Sequence, residues 1–160
     1  MRGDPPGFAT VTGRVLATAP PPAVRARVAD ARVGRLATHG PGDALHLVPC
    51  CFALDPDADR WYWAVDGKPK RSLALQRLAN LARRPEATLV VDRYDEDWTQ
   101  LWWVRLDGVG RALPAGDSDD QRARSLLVDK YVQYRDAPPP GATVAVEITG
   151  WRWWSAAGTW

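Results

Sequence analysis

Arg60-Trp61-Tyr62-Trp63-Ala64-Val65-Asp66-Gly67-Lys68-Pro69-Lys70-Arg71-Ser72 changes its period halfway along, and the rest of the chain can be organised around that change. Over residues 60–66, Trp61, Trp63 and Val65 alternate with Tyr62, Ala64 and Asp66, the two-residue repeat of a β-strand. Gly67 and Pro69 punctuate, and residues 72–83 then recur at helical spacing. Leu75, Leu78 and Ala82 are the expected buried stripe of that helix, and Pro85 is its stop. A strand–turn–helix unit is expected.

Working outward, a helix is expected over 23–32, with Val24, Val28 and Ala31 on one face. Strands follow at 34–38 and 45–54, the second containing Pro49. A proline cannot donate to a ladder, so that segment is an edge, a bulge or a place where something other than a strand approaches. Further strands fall at 88–92 and 100–106, the latter resuming to residue 113 past Gly108 and Gly110. A long helix is expected over 118–135 with Leu127, Tyr131 and Tyr134 on one side. Residues 143–149 and 151–155 then read as a closing hairpin-like pair. Six or seven strands come in runs rather than in strict alternation with helices, and three helices accompany them. That pattern predicts an α+β fold with a mostly antiparallel, closed sheet. Residues 1–22, broken by Pro5, Pro6, Pro20, Pro21 and Pro22, form a flexible tail, and residues 23–160 form one domain.

Composition excludes several function classes. The 160 residues carry a net charge of only +2, no RNP-like motif and no apolar run long enough to span a bilayer. Nucleic-acid and membrane binding are therefore not expected, and a cytoplasmic location is the default. Cys50 and Cys51 are adjacent, which suits two small hydrophobes in a strand better than a zinc site or a disulfide framework. The acidic run Asp95-Glu96-Asp97 lacks metal-loop spacing, and no metal site is expected. The 9 tryptophans are clustered, and each admits two readings: core or subunit-interface material, or a wall for a planar ligand.

The chemistry concentrates at the turn. A helix N-terminus carries partial positive charge, so acids belong there. The helix over 118–135 obeys, with Asp117, Asp119 and Asp120, whereas the central helix opens on Lys68, Lys70 and Arg71. Arg77 and Asn80, three apart on that helix, share a face with each other. Converging cations and backbone N–H groups suit a phosphate or other anion, and the bland alternative is a solvated basic loop. No catalytic triad assembles, and His39 and His46 suit surface or strand-filling roles. An anion site with aromatic walls and no acid–base machinery fits a protein whose reactive atom belongs to a cofactor.

A family resemblance rests on these same residues. The ordered set is Arg35-Leu36-Ala37-Thr38, Val48-Pro49 with Phe52, the Lys68-Pro69-Lys70-Arg71 turn, Leu78-Ala79-Asn80-Leu81, and Tyr94-Asp95-Glu96-Asp97-Trp98 with Leu101-Trp102-Trp103-Val104-Arg105. It resembles the flavin and deazaflavin oxidoreductases of the pyridoxamine-phosphate-oxidase-like split β-barrel group, in particular their coenzyme F420-dependent branch. The resemblance implies a homodimer of split barrels with cofactor grooves at the interface, a hydride exchanged between F420 and a small organic substrate, and no metal. FMN is the alternative cofactor, and a non-catalytic flavin- or haem-binding module is the alternative role. It further implies that Lys68, Lys70, Arg71, Arg77 and Asn80 hold the cofactor phosphate. Val48, Pro49, Trp63, Ala64 and Asp66 would line the ring, and Trp98 and Trp102 would come from the partner subunit. Tyr94 is the weak candidate for a proton donor.

Overall fold

The computed structural model describes residues 19–65, 73–158 and 160. Seven strands are described: β1 (Gly34–His39), β2 (Leu45–Cys50), β3 (Ala53–Leu54), β4 (Arg60–Ala64), β5 (Glu86–Arg93), β6 (Trp102–Ala112) and β7 (Thr143–Ser155). The helices are α1 (Pro22–Asp30), α2 (Leu73–Arg83), α3 (Ser118–Lys130) and α4 (Val132–Asp136). The strands form one sheet in the order β2-β1-β5-β6-β7-β4-β3, with every neighbouring pair antiparallel.

That order dictates the shape. β2 and β3 stand at opposite ends of the sheet, yet only Cys51 and Phe52 separate them in the chain. So short a link reaches about 10 Å at most. The sheet must therefore curl until its two edges come together, as a split barrel. Phe52 sits at this seam, fully buried and edge-on to Trp61 with ring centroids 6.4 Å apart. Alternation along the strands fills the interior with Leu36, Leu89, Val91, Val104, Leu106 and Val146 around Trp61 and Trp63. The expected α+β split barrel is the observed fold.

Four local expectations need correcting. The strand over 45–54 is two strands, because the chain leaves one sheet edge at Cys50 and joins the other at Ala53. Residues 143–155 are not a hairpin-like pair but one strand, and both of its halves pair with β6. A bulge between Asp107 and Gly108 absorbs the register shift. A Cβ on Gly108 would lie 2.4 Å from the Glu147 carbonyl oxygen, so the bulge has no room for a side chain. The long helix breaks at Tyr131 (φ −113°, ψ 113°), between α3 and α4. There the tyrosine hydroxyl lies 2.9 Å from the Arg32 and Phe52 carbonyl oxygens and accepts the Phe52 N–H. Finally, Ala82 of the expected α2 stripe is exposed, while Arg77, Asn80 and Leu81 are buried. The helix is turned so that polar side chains meet the barrel. Pro49 lies on β2, an edge strand, as its missing donor requires. No helix among the described residues is long and apolar enough to cross a membrane.

Candidate functional site

Helix α2 packs against β1 and β6, and its side chains reach strands near both edges of the curled sheet. On one side Asn80, wholly buried, donates to the Thr38 hydroxyl on β1 (3.0 Å) and lies 3.3 Å from His46 Nδ1 on β2. Its carbonyl oxygen accepts from Gln76 at 2.8 Å, one helical turn earlier. Asn80 thus has its polar groups fixed within the fold. On the other side, the Arg77 guanidinium stacks over the Trp63 ring of β4, 4.8 Å from its centroid.

Arg77 differs from almost every other arginine. It is only 6% exposed, and its buried Nη1 has no hydrogen-bond partner. Among the described residues every arginine except Arg77 and Arg27 has a carboxylate or carbonyl oxygen in reach. A buried cation whose N–H groups lack acceptors costs free energy unless something supplies one. Arg77 stands one turn from the start of α2, directly after the segment carrying Lys68, Lys70 and Arg71. Asp66, Lys68, Lys70 and Arg71 themselves lie outside the described residues.

The end of β4 that leads into that segment is clamped from α3. Asp120, 4% exposed, accepts from the Thr143 hydroxyl (2.5 Å), the Gly116 N–H (2.8 Å) and Arg124 Nε (3.0 Å). Burial alone would raise its pKa, but these donors outweigh burial and hold it below the ordinary carboxylate value. Arg124 in turn donates to the carbonyl oxygens of Pro139 (2.6 Å) and Gly141 (3.0 Å). Gly141 and Ala142 bond the Val65 backbone on either side. A Cβ on Gly141 would fall 2.6 Å from that of Val65, so glycine is needed for the approach. Thr38 and Arg124 act only through distant elements, whereas Gln76 acts within its own helix, at the i, i+4 spacing to Asn80.

The remaining expected residues divide between two places. Val48 faces inward from β2 on the same side as His46 and packs on the core, while Pro49 faces out and is exposed. Trp63 is wholly buried, so it can act on a ligand only as the floor beneath Arg77, and Ala64 beside it is half-buried. Trp98 and Trp102 lie elsewhere, at the far end of β6. Trp98 is 76% exposed, and Trp102 packs on Trp160. One protomer therefore joins Trp63, Arg77 and Asn80 at α2, leaves Val48 on the barrel core, turns Ala64 toward α3 and α4, and does not bring Trp98 or Trp102 to them. Tyr94 is 85% exposed.

A family profile described as pyridoxamine 5′-phosphate oxidase matches residues 20–155. Among solved structures, a conserved hypothetical protein from Mycobacterium tuberculosis superposes with a TM-score of 0.68 at 19% identity, over 91% of each chain. A FAD-binding protein from Mesorhizobium loti gives 0.58 at 19% identity, over 82% of this chain and 90% of that one. HutZ, the haem storage protein of Vibrio cholerae, gives 0.64 at 9% identity, over 84% and 92%. At such identities these likenesses speak to the fold alone. No curated protein matches this sequence.

Proposed function

Because the chain belongs to the pyridoxamine 5′-phosphate oxidase family, we propose that it is an F420-dependent oxidoreductase that passes a hydride between the deazaflavin and a small organic substrate. The observation that carries this reading is Arg77: a buried, tryptophan-stacked guanidinium with an unpartnered Nη1, placed just after three further cations in the sequence. Such a group fits an acidic coenzyme, because a phosphate or carboxylate oxygen would complete its hydrogen bonding. Bound there, the deazaflavin supplies the hydride. Trp63 holds the guanidinium plane, and Asn80 ties α2 to β1 and β2 so that the helix does not drift from those strands. The outward-facing Pro49 of β2 offers an apolar contact for the ring, Val48 supports that strand from the core side, and Lys68, Lys70 and Arg71 add charge for the anionic part.

The second protomer of a homodimer would add Trp98 and Trp102. The outer sheet face supports such pairing, since it exposes Leu45 (82%), Leu47 (64%) and Trp154 (46%), more apolar surface than a solvated sheet needs. A proton reaches the substrate from Tyr94 or from solvent. FMN is the competing cofactor; the Mesorhizobium protein is FAD-binding, which supports a flavin on this fold without choosing FMN.

The test is a side-by-side titration of the purified protein with F420 and FMN, followed by absorbance and fluorescence. F420 should bind more tightly, its affinity should fall with added salt, and Arg77→Ala should weaken it. Binding of neither cofactor below about 1 mM would overturn the reading. Tight binding of reduced cofactor with no turnover of any acceptor would leave a storage or sensing module instead.

A further inference from the structure

Among the described residues Arg27 is the other arginine without an acceptor. From α1 its guanidinium rests against a T-shaped pair of indoles, 4.8 Å from the Trp160 ring centroid and 5.4 Å from that of Trp102, whose rings are themselves 6.2 Å apart. It borders a cavity of about 340 Å³, walled also by Arg93, Thr99, Gln100, Ser155 and Ala157. This place is remote from α2. Arg93 ends β5, whereas Thr38, the Asn80 contact, pairs with Ala87 near the opposite end of the same strand. Six residues of strand separate them, about 20 Å.

We propose that this cavity binds a small organic oxyanion, a carboxylate or a phosphate ester. The two guanidinium groups supply the charge. The Gln100 amide and Ser155 hydroxyl supply neutral donors, and Trp102 offers an apolar wall. Cation–π contact with the two indoles positions the Arg27 fork without using its N–H groups, which leaves them for a ligand. The volume lies at the lower end of small-molecule sites, so the ligand has a compact body beyond its charged group. Arg93 is not idle: Asp95 bonds its Nη2 at 2.8 Å. An incoming oxyanion must compete with that carboxylate, which sets an internal brake on affinity. Thr99 contributes only shape, because its hydroxyl is committed to Asp97 at 2.7 Å. The proposal rests on one protomer and on no bound deazaflavin; because the homodimer reading brings Trp102 to the coenzyme of the other protomer, on that reading the two sites adjoin at this indole.

The test uses the full chain without coenzyme. Benzoate, inorganic phosphate and the uncharged control benzyl alcohol are titrated while the indole N–H resonances of Trp102 and Trp160 are followed. These are assigned from Trp102→Phe and Trp160→Phe. Benzoate should bind and benzyl alcohol should not. Phosphate binding instead of benzoate would place the ligand among phosphate esters, within the proposal. Arg27→Gln should weaken binding by about tenfold or more, the loss expected for a charge-assisted hydrogen bond. Asp95→Asn should tighten binding several-fold, because it releases Arg93 yet keeps the oxygen that caps the Asp97 N–H at 3.1 Å. That surface change carries little folding risk, so the pair of variants separates ligand binding from loss of structure. Three outcomes would overturn the assignment: neither anion binding below roughly 10 mM, benzyl alcohol binding as well as benzoate, or Asp95→Asn leaving affinity unchanged or lower.

Discussion

Helices α2 and α3 both bring charge against the barrel, and they dispose of it in opposite ways. Along α3, its last residue Lys130 apart, the buried carboxylates are paired. Asp55, 2% exposed, accepts two bonds from Arg122 at 2.6 and 2.7 Å and one from the Tyr62 hydroxyl at 3.1 Å, and Asp120 is bonded by Thr143, Gly116 and Arg124. On α2 the amide of Asn80 is satisfied while the cation of Arg77 is left short of acceptors. Paired buried charge fixes architecture, and unpaired buried charge beside a cationic turn waits for a ligand.

The comparison can be broken from its paired side first. Asp55→Ala should cost about 2–3 kcal/mol in denaturant unfolding, because the buried Tyr62 hydroxyl loses its acceptor while Arg122, part-exposed, keeps Asp57 and water. A loss under 1 kcal/mol would mean that the α3 charges are ornamental. On the unpaired side, Arg77→Ala should lower coenzyme affinity by roughly ten- to a hundredfold while moving the unfolding free energy by less than about 1 kcal/mol, since no intramolecular acceptor is orphaned. Equal damage to folding and binding would erase the distinction between the two helices.

Lys130 sharpens the contrast, because it is a third disposition: a cation shut away without an acceptor and without a cationic turn beside it. Its Nζ lies 4.0 Å from the Phe52 ring centroid with no hydrogen bond, and burial, with Arg32 adding to it, pushes its pKa down to about 8. The folded value lies below the unfolded one, so the charged side chain penalises folding fully below pH 8 and the penalty fades as pH rises toward 10.5. Lys130→Met should therefore stabilise by about 1–2 kcal/mol at neutral pH, with a gain that shrinks in alkali. Thermal unfolding at pH 7 and pH 10 checks both signs.

The smallest effect is the acid limb. Arg122 hydrogen bonds hold the Asp55 carboxyl at about 2, against an ordinary 3.8. Its contribution is complete above that ordinary value and is lost as pH falls toward 2. With Arg122 41% exposed and the pair screened accordingly, about 1 kcal/mol should disappear over that window. In Asp55→Asn the pH dependence of stability between 4 and 2 should flatten by that amount.

Much of the barrel was legible in the chain. The alternation around Trp61 and Trp63, the proline in β2 and the clustered strands all follow from local periodicity, and each survives in the structure. What escaped was long-range. Nothing in residues 143–155 says that the strand runs on through Gly150, because the bulge that permits it, with Thr149 as the extra residue, forms only opposite Asp107 and Gly108 of β6. Nothing in 118–135 says that the helix must open at Tyr131, because the backbone it binds belongs to Arg32 and Phe52. The candidate site divides in the same way. Arg77 and Asn80 stand out by spacing, while Thr38, His46 and Arg124 join only through contacts more than 10 residues away in sequence.

By itself the sequence determined the alternation that makes strands, the cations gathered before the middle helix and a near-neutral surface, since all of these are properties of neighbouring residues. Only the tertiary structure decided which charges would find partners. Whether a guanidinium is neutralised depends on which distant carboxylate or carbonyl the curled sheet carries to within 3 Å of it. That distance is how Arg122 became part of the scaffold while Arg77 and Arg27 were left with unused N–H groups.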